Sequence, residues 1–206
     1  MLEQCHASFL SQGCLSHNLL GLLLAPLPAL SGALGNHDVQ MFPHHIIAYL
    51  ACNNGRGLNP SMSMSSVATG HHDVTLLFMD IVGFTSMSKA ISAGEVMAFL
   101  NELFSLYDRL VERHGVHKVE TAGDCYIVSA GVVAQGSDGY MHVLTSHDAA
   151  DSARRVLSFA KDMLAAAQKV RMPHNQEPAC IRIGLHTGDC TSGLIGSRLP
   201  KFSIFG

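Results

Sequence analysis

Two acidic residues stand where predicted strands end, and both are candidate ligands for a cation. Asp80 follows an apolar stretch, VTLLFM at residues 74–79, whose composition predicts a buried strand. Asp124 stands at the tip of KVETAGDCYIVSA at residues 118–130, a pattern that predicts two strands joined by a tight Gly-Asp turn. If this hairpin lies beside the first strand, the two carboxylates converge at one end of a sheet. Paired carboxylates of this kind hold Mg²⁺ or Mn²⁺ together with a nucleoside triphosphate.

Each aspartate also has a plainer interpretation. An aspartate in a tight turn commonly hydrogen-bonds the nearby backbone, and one that precedes a helix commonly caps it. A short helix is predicted over residues 84–90. Because the first N–H groups of a helix lack intrahelical acceptors, its start favours phosphate. The backbone groups predicted to be free for this purpose are those of Val82, Gly83, Phe84 and Thr85.

The remaining pattern predicts the order β α α β β α β β β. A capping box of Ser92 and Glu95 begins a second helix, which Gly115 ends. Ser146 is predicted to cap a third helix. Strands follow at residues 181–187, 191–196 and 201–205, with a Gly-Asp turn at 188–189 separating the first two, whereas residues 131–144 are predicted to be a loop. The first six elements, with the helix split, give the ferredoxin-like βαββαβ pattern of an α+β sandwich.

Three segments in this order resemble the catalytic domain of class III nucleotidyl cyclases, the guanylyl and adenylyl cyclases. They are FMDIVGFTSMSK, KVETAGDCYIVSAG and IRIGLHTGDCTSGLIGSRLPKFSIFG. The resemblance covers residues 73–206 and implies a partial catalytic domain there, incomplete at the C-terminus. Residues 1–72 are predicted to form a leader or linker outside it.

The resemblance implies a metal-dependent cyclisation in which the ribose 3′-hydroxyl attacks the α-phosphate and pyrophosphate leaves. It implies two divalent cations, Mg²⁺ or Mn²⁺, held by Asp80, Asp124 and the backbone carbonyl of Ile81. It implies that Glu120 reads the base. A carboxylate accepts both N–H donors on the edge of guanine but repels the N1 lone pair of adenine. The plainer interpretation of Glu120 is a solvent-facing strand residue.

Ser203 matches a second base-recognition position, at which guanylyl cyclases often carry Cys and adenylyl cyclases Asp. Its hydroxyl can donate to guanine O6, so the residue is compatible with GTP. A polar residue in an edge strand is the alternative. The resemblance therefore favours GTP as substrate and leaves ATP open.

The family builds its active site across a dimer, with a downstream Asn and Arg that this sequence does not reach before Gly206. Removing such charge stabilisation costs about two to three orders of magnitude in rate. Three alternatives therefore stay open: an active homodimer of a longer chain, a partner subunit in a heterodimer, and a non-catalytic cyclase-like domain. A diguanylate cyclase on the same scaffold is disfavoured because no GGDEF-like hairpin occurs.

Composition narrows the partners further. The chain has 206 residues and a formal net charge of −3. A nucleic-acid-binding domain usually carries an excess of positive charge, so this composition predicts no nucleic-acid partner. Six cysteines without a CxxC pair are typical of reduced intracellular thiols. The apolar run at residues 19–34 contains two prolines and is shorter than a membrane-spanning helix requires. The sequence thus predicts a cytoplasmic catalytic domain and leaves open a membrane-associated parent protein.

Overall fold

The computed structural model describes residues 43, 46, 68–137, 141–195 and 201–206. The predicted apolar run at 19–34, and almost all of the predicted leader, lie outside the described residues. In the part of the chain that is described, no helix is long and apolar enough to cross a membrane.

The chain divides into two compact units. The larger contains residues 68–134, 143–193 and 203–206, and it carries every residue of the candidate site. The smaller includes Pro43, which forms a parallel bridge with Met141. The predicted boundary between residues 72 and 73 stays a prediction, although the first strand already begins at Thr69.

The described residues form seven strands and three helices. In chain order they are β1 (Thr69–Ile81), α1 (Phe84–Ala90), α2 (Ala93–His114), β2 (His117–Ala122), β3 (Cys125–Ala130), β4 (Val133–Gln135), β5 (Met141–Val143), α3 (Ala149–Ala167), β6 (Ile181–Ile195) and β7 (Lys201–Phe205). The main sheet has the strand order β2-β3-β1-β6-β7. Strand β1 is antiparallel to both neighbours, β3 and β6. This is the predicted α+β, ferredoxin-like arrangement, with β7 added at one edge.

One face of the main sheet is covered by helices. Alternate residues of β1 point to this face, and Leu77, Met79 and Ile81 are almost completely buried there. Helix α2 contributes Phe99 and Leu103 to the same core cluster, to which α3 adds further apolar side chains. Burying such a side chain contributes about 1.5–3 kcal/mol, so the helices fix which face of β1 is covered. The opposite face of the sheet, called the open face below, carries the remaining β1 residues.

The ends of α2 follow the predicted local chemistry. The Ser92 backbone N–H donates to Glu95 Oε2 at 2.9 Å, and the Glu95 N–H donates to Ser92 Oγ at 3.3 Å. Gly115 ends the helix in the left-handed conformation, with φ 60°. The predicted cap of α3 is wrong by two residues: Asp148 Oδ1 accepts from the Asp151 N–H at 3.0 Å, because the helix begins only at Ala149.

Two predictions about strands are also wrong. Residues 188–189 form no turn, and β6 runs unbroken from Ile181 to Ile195. The irregularity lies instead in β1, where the pairing register shifts between His71 and Val74 and Asp73 takes φ 54°. The Asp189 carboxylate accepts the Asp73 N–H at 3.2 Å and so stabilises this bulge. The predicted loop at 131–144 contains β4 and β5, which form a small two-stranded sheet.

Candidate active site

Asp80 lies near the end of β1 on the open face of the sheet. Its neighbours Met79 and Ile81 are buried under the helices, and side chains alternate along a strand. Phe78, on the same face as Asp80, is 47% exposed. The open face is therefore accessible where Asp80 projects from it.

Asp124 reaches the same place from the β2–β3 hairpin. Ala122 pairs with Cys125, so Gly123 and Asp124 form a two-residue turn, and Gly123 takes φ 63°. The Ile81 backbone N–H donates to the Asp124 carboxylate. Partial burial raises the pKa of Asp124, and a hydrogen-bond contact with Asp80 and its negative charge raise it further. The structure thus brings the two predicted carboxylates into contact.

Arg182 forms a salt bridge with Asp80 of this pair. It lies opposite Asp80 in the β1–β6 register. Its Nε donates to Asp80 Oδ2 at 2.6 Å, and its Nη2 lies 2.5 Å from the same oxygen. The Arg182 side chain remains 77% exposed, so the guanidinium keeps donors directed to solvent. We predicted no role for Arg182, yet the alternation Ile181-Arg182-Ile183 already placed it on the face opposite the core.

The donor set at the end of β1 suits a hard divalent cation. Two carboxylates share one location, and the negative charge of Asp80 adds to partial burial in raising the pKa of Asp124. Within the described ranges, no group of three His, Cys, Asp or Glu side chains could hold a metal alone. Mg²⁺ commonly takes only one or two carboxylates and fills its other positions with water and phosphate oxygens. Asp80, Asp124 and the Ile81 carbonyl would leave such positions open.

The turn after β1 matches the predicted phosphate-binding segment only in part. Gly83 caps α1 with φ 76°, and no side-chain hydrogen bond caps the helix among the described residues. Apart from Gly83 and its two chain neighbours, no described heavy atom lies within 4 Å of the position that a Cβ on Gly83 would take, so the approach to its backbone is open. The expectation for Val82 is wrong, because its N–H donates to the Cys180 carbonyl at 2.9 Å. Gly83, Phe84 and Thr85 remain as the candidate donors, while the Phe84 side chain packs against the core.

The two predicted base-recognition residues lie on opposite edge strands. Glu120 belongs to β2 and Ser203 to β7, and three strands separate β2 from β7 in the sheet. Both side chains are partly buried. Burial raises the pKa of the Cys125 thiol, and the carboxylates of Asp80, Asp124 and Glu120 raise it further, so Glu120 contributes to the same negative field.

Comparison with known proteins gives a consistent assignment. The model of the adenylate and guanylate cyclase catalytic domain matches residues 66–206. Retinal guanylyl cyclase 1 of Bos taurus is 40% identical over 135 residues, which cover 65% of this chain and 11% of that protein. This chain therefore spans a small part of that relative's length.

Solved structures agree. The guanylate cyclase domain of RhGC from Catenaria anguillulae in complex with GTP superposes with a TM-score of 0.57 at 33% identity, covering 67% of this chain and 68% of that one. A non-canonical dimeric guanylyl cyclase domain from Blastocladiella emersonii gives a TM-score of 0.54 at 34% identity, covering 68% and 70%. The chain belongs to the adenylate and guanylate cyclase catalytic domain family.

Proposed function

We propose that the domain converts GTP to cyclic GMP and pyrophosphate as one half of a dimeric guanylyl cyclase. The observation that carries this proposal is the contact between Asp80 and Asp124 at one end of the sheet, inside the segment that the family model matches. Divalent cations at this position would lower the pKa of the ribose hydroxyl and neutralise phosphate charge. Mg²⁺ or Mn²⁺ is the expected cofactor.

Two sets of groups in the proposed site would bind the cations and the phosphates, respectively. Asp80, Asp124 and the Ile81 carbonyl would hold the cations. The N–H groups of Gly83, Phe84 and Thr85 at the start of α1 would donate to the phosphates. These six groups lie at or directly after the end of β1 or on the adjoining hairpin tip, so one triphosphate could contact them together.

Arg182 adds a phosphate-binding group to this proposal. A guanidinium has donors that match phosphate oxygens in pairs, and this one lies beside the proposed cation ligand. A divalent cation that binds Asp80 would displace Arg182 from this carboxylate, and the Arg182 donors would then bind a phosphate. The salt bridge between Arg182 and Asp80 would then form only without substrate, and contacts with the cation and the phosphate would replace it when substrate binds.

Glu120 and Ser203 would read the base. Because a carboxylate accepts from guanine and repels adenine at the same edge, Glu120 favours GTP over ATP. In the family the two halves of a site come from different protomers, so Glu120 would serve the site whose cations its partner holds. We also propose that the domain acts in the cytoplasm, as a homodimer or with another cyclase subunit.

The base assignment is tested by nucleotide binding. The dissociation constants of GTP and ATP are measured for the full chain in Mn²⁺ by displacement of a fluorescent nucleotide. The wild-type chain should prefer GTP, and Glu120→Lys should remove that preference. Glu112→Lys, the same charge change at an exposed position of α2, is the matched control and should leave it intact. Tighter binding of ATP by the wild type would make the adenylyl cyclase alternative the better one.

A further inference from the structure

The salt bridge between Asp80 and Arg182 is fixed by the pairing of their strands. The two residues are direct partners in the antiparallel register of β1 and β6, so their side chains project side by side from the open face. The next pair along the strands, Ile81 with Ile181, is buried in the core under the helices. A shift of register would expose that pair, so the guanidinium stays within reach of the Asp80 carboxylate.

This contact uses donors that could otherwise bind a phosphate. Nε and Nη2 of Arg182 lie on one edge of the guanidinium, and both are directed at a single oxygen, Asp80 Oδ2, at 2.6 and 2.5 Å. A guanidinium binds a phosphate best when two donors of one edge meet two of its oxygens. In the contact with Asp80, the paired donors of this edge and much of the positive charge of Arg182 are already balanced by a carboxylate.

The same carboxyl group of Asp80 also contacts Asp124. The proposed cation ligand therefore has two partners of opposite charge, one that attracts it and one that repels it. A triphosphate that approaches without a cation meets two carboxylates, which repel it, and a guanidinium whose paired donors are taken. Charge on the two carboxylates would be neutralised by a bound cation, and Arg182 would then lose its attraction to Asp80.

We propose that Asp80 makes phosphate binding conditional on the cation: it holds Arg182 in the absence of a cation and releases it when a cation binds. The domain would thus accept the cation-complexed triphosphate and discriminate against the metal-free nucleotide. The inference rests on the proposed function, in which Asp80 is a cation ligand. It gives Asp80 a second role, as a specificity-determining counter-ion of Arg182.

The test compares two asparagine variants of the full chain, with inorganic pyrophosphate as the probe because it binds without base recognition. Dissociation constants are measured in EDTA by isothermal titration calorimetry. Asp80→Asn and Asp124→Asn each remove one carboxylate charge from the same place, but only Asp80→Asn releases Arg182. Both variants should bind pyrophosphate more tightly than the wild type. Asp80→Asn should bind it about fivefold more tightly than Asp124→Asn, as expected for the loss of a partly exposed ion pair.

Repeating the comparison in an Arg182→Gln background separates release of the guanidinium from the change of charge. Glutamine cannot form the salt bridge, so the fivefold difference between the two asparagine changes should disappear. A difference that arises only because Asp80 and Asp124 lie at different distances from the phosphate would persist in this background. Circular dichroism of each variant checks that the domain is folded.

The outcomes separate this inference from the proposed function. If Mn²⁺ does not raise the unfolding midpoint of the wild type, the proposed cation site fails and this inference fails with it. If Mn²⁺ raises the midpoint but Asp80→Asn binds pyrophosphate no better than Asp124→Asn, only this inference is overturned. It is also overturned if the difference persists with Arg182→Gln, or if Asp80→Asn does not bind pyrophosphate at all, since the released Arg182 then supplies no phosphate site.

Discussion

Replacing Asp124 by asparagine should stabilise the metal-free protein while removing its response to metal. Asp124 and Asp80 are in contact, and both burial and the neighbouring carboxylate disfavour the charged form of Asp124. Asparagine has nearly the same shape, and its side-chain oxygen can still accept the Ile81 N–H. Asp124→Asn therefore removes the repulsion and keeps the turn.

The size of the effect follows from the charges. Two like charges in close contact oppose each other by about 4 kcal/mol at an effective dielectric constant of 20, which is an upper bound. The Arg182 guanidinium offsets part of this at Asp80, and both carboxylates are partly solvated. We expect a net stabilisation of about 1 kcal/mol, or about 2–4 °C in the unfolding midpoint of a domain of this size.

Adding metal should reverse which protein is the more stable, the wild type or Asp124→Asn. A cation present at about 100 times its dissociation constant stabilises the wild type by about 2.7 kcal/mol, whereas the variant has lost a ligand. The assay is thermal unfolding followed by circular dichroism, once with EDTA and once with Mn²⁺. The variant should be the more stable protein in EDTA and the less stable one in Mn²⁺.

A matched carboxylate on the same sheet supplies the control. Asp189 hydrogen-bonds His72 and accepts the Asp73 N–H, and these contacts lower its pKa. Asp189→Asn should destabilise the protein equally in both buffers. If Asp124→Asn behaves in the same way, with a loss of stability in EDTA and an unchanged Mn²⁺ response, Asp124 is a structural turn residue and the cation site is wrong.

Two further predictions concern the turn after β1 and the acid stability of the domain. Gly83→Ala should lower the free energy of unfolding in urea by about 1 kcal/mol, because φ 76° strains a residue with a Cβ. Gly94→Ala, in the first turn of α2, should instead raise the free energy of unfolding. Equal effects of the two substitutions would contradict this prediction. Burial lowers the pKa of His117 from 6.5 to about 4. As the pH falls below 6.5, His117 is therefore protonated in the unfolded chain while it stays neutral in the folded chain. The free energy of unfolding should therefore decrease by roughly 3 kcal/mol between pH 6.5 and pH 4. This decrease should be smaller in His117→Asn and unchanged in the exposed control His174→Asn.

Sequence predicted those features that depend on neighbouring residues. The capping box at Ser92 and the glycine stop at Gly115 act within one turn of helix, so the bounds of α2 could be predicted closely. The Gly-Asp turn likewise determined the hairpin that carries Asp124. Convergence of Asp80 and Asp124 followed because the predicted order of elements places that hairpin beside β1.

The errors arose where a distant partner decides the local structure. Gly188 and Asp189 carry turn residue types, but the bulge at Asp73 in β1 absorbs the irregularity and leaves β6 continuous. The Val82 N–H was expected to be free, and it is taken by Cys180, which is far away in sequence. The salt bridge of Arg182 with Asp80 depends on a strand register that periodicity alone does not supply.

Formation of cyclic GMP in a mixed dimer tests whether Asp80 and Asp124 hold catalytic cations. The chain is mixed with a related guanylyl cyclase domain in which both cation-binding aspartates are replaced by alanine, and GTP and Mn²⁺ are added. Cyclic GMP should form with the wild-type chain and not with the Asp80→Ala/Asp124→Ala double variant, because only this chain then supplies cation ligands. Equal product from the wild type and the folded double variant, or no product from either when the two domains demonstrably associate, would contradict this prediction.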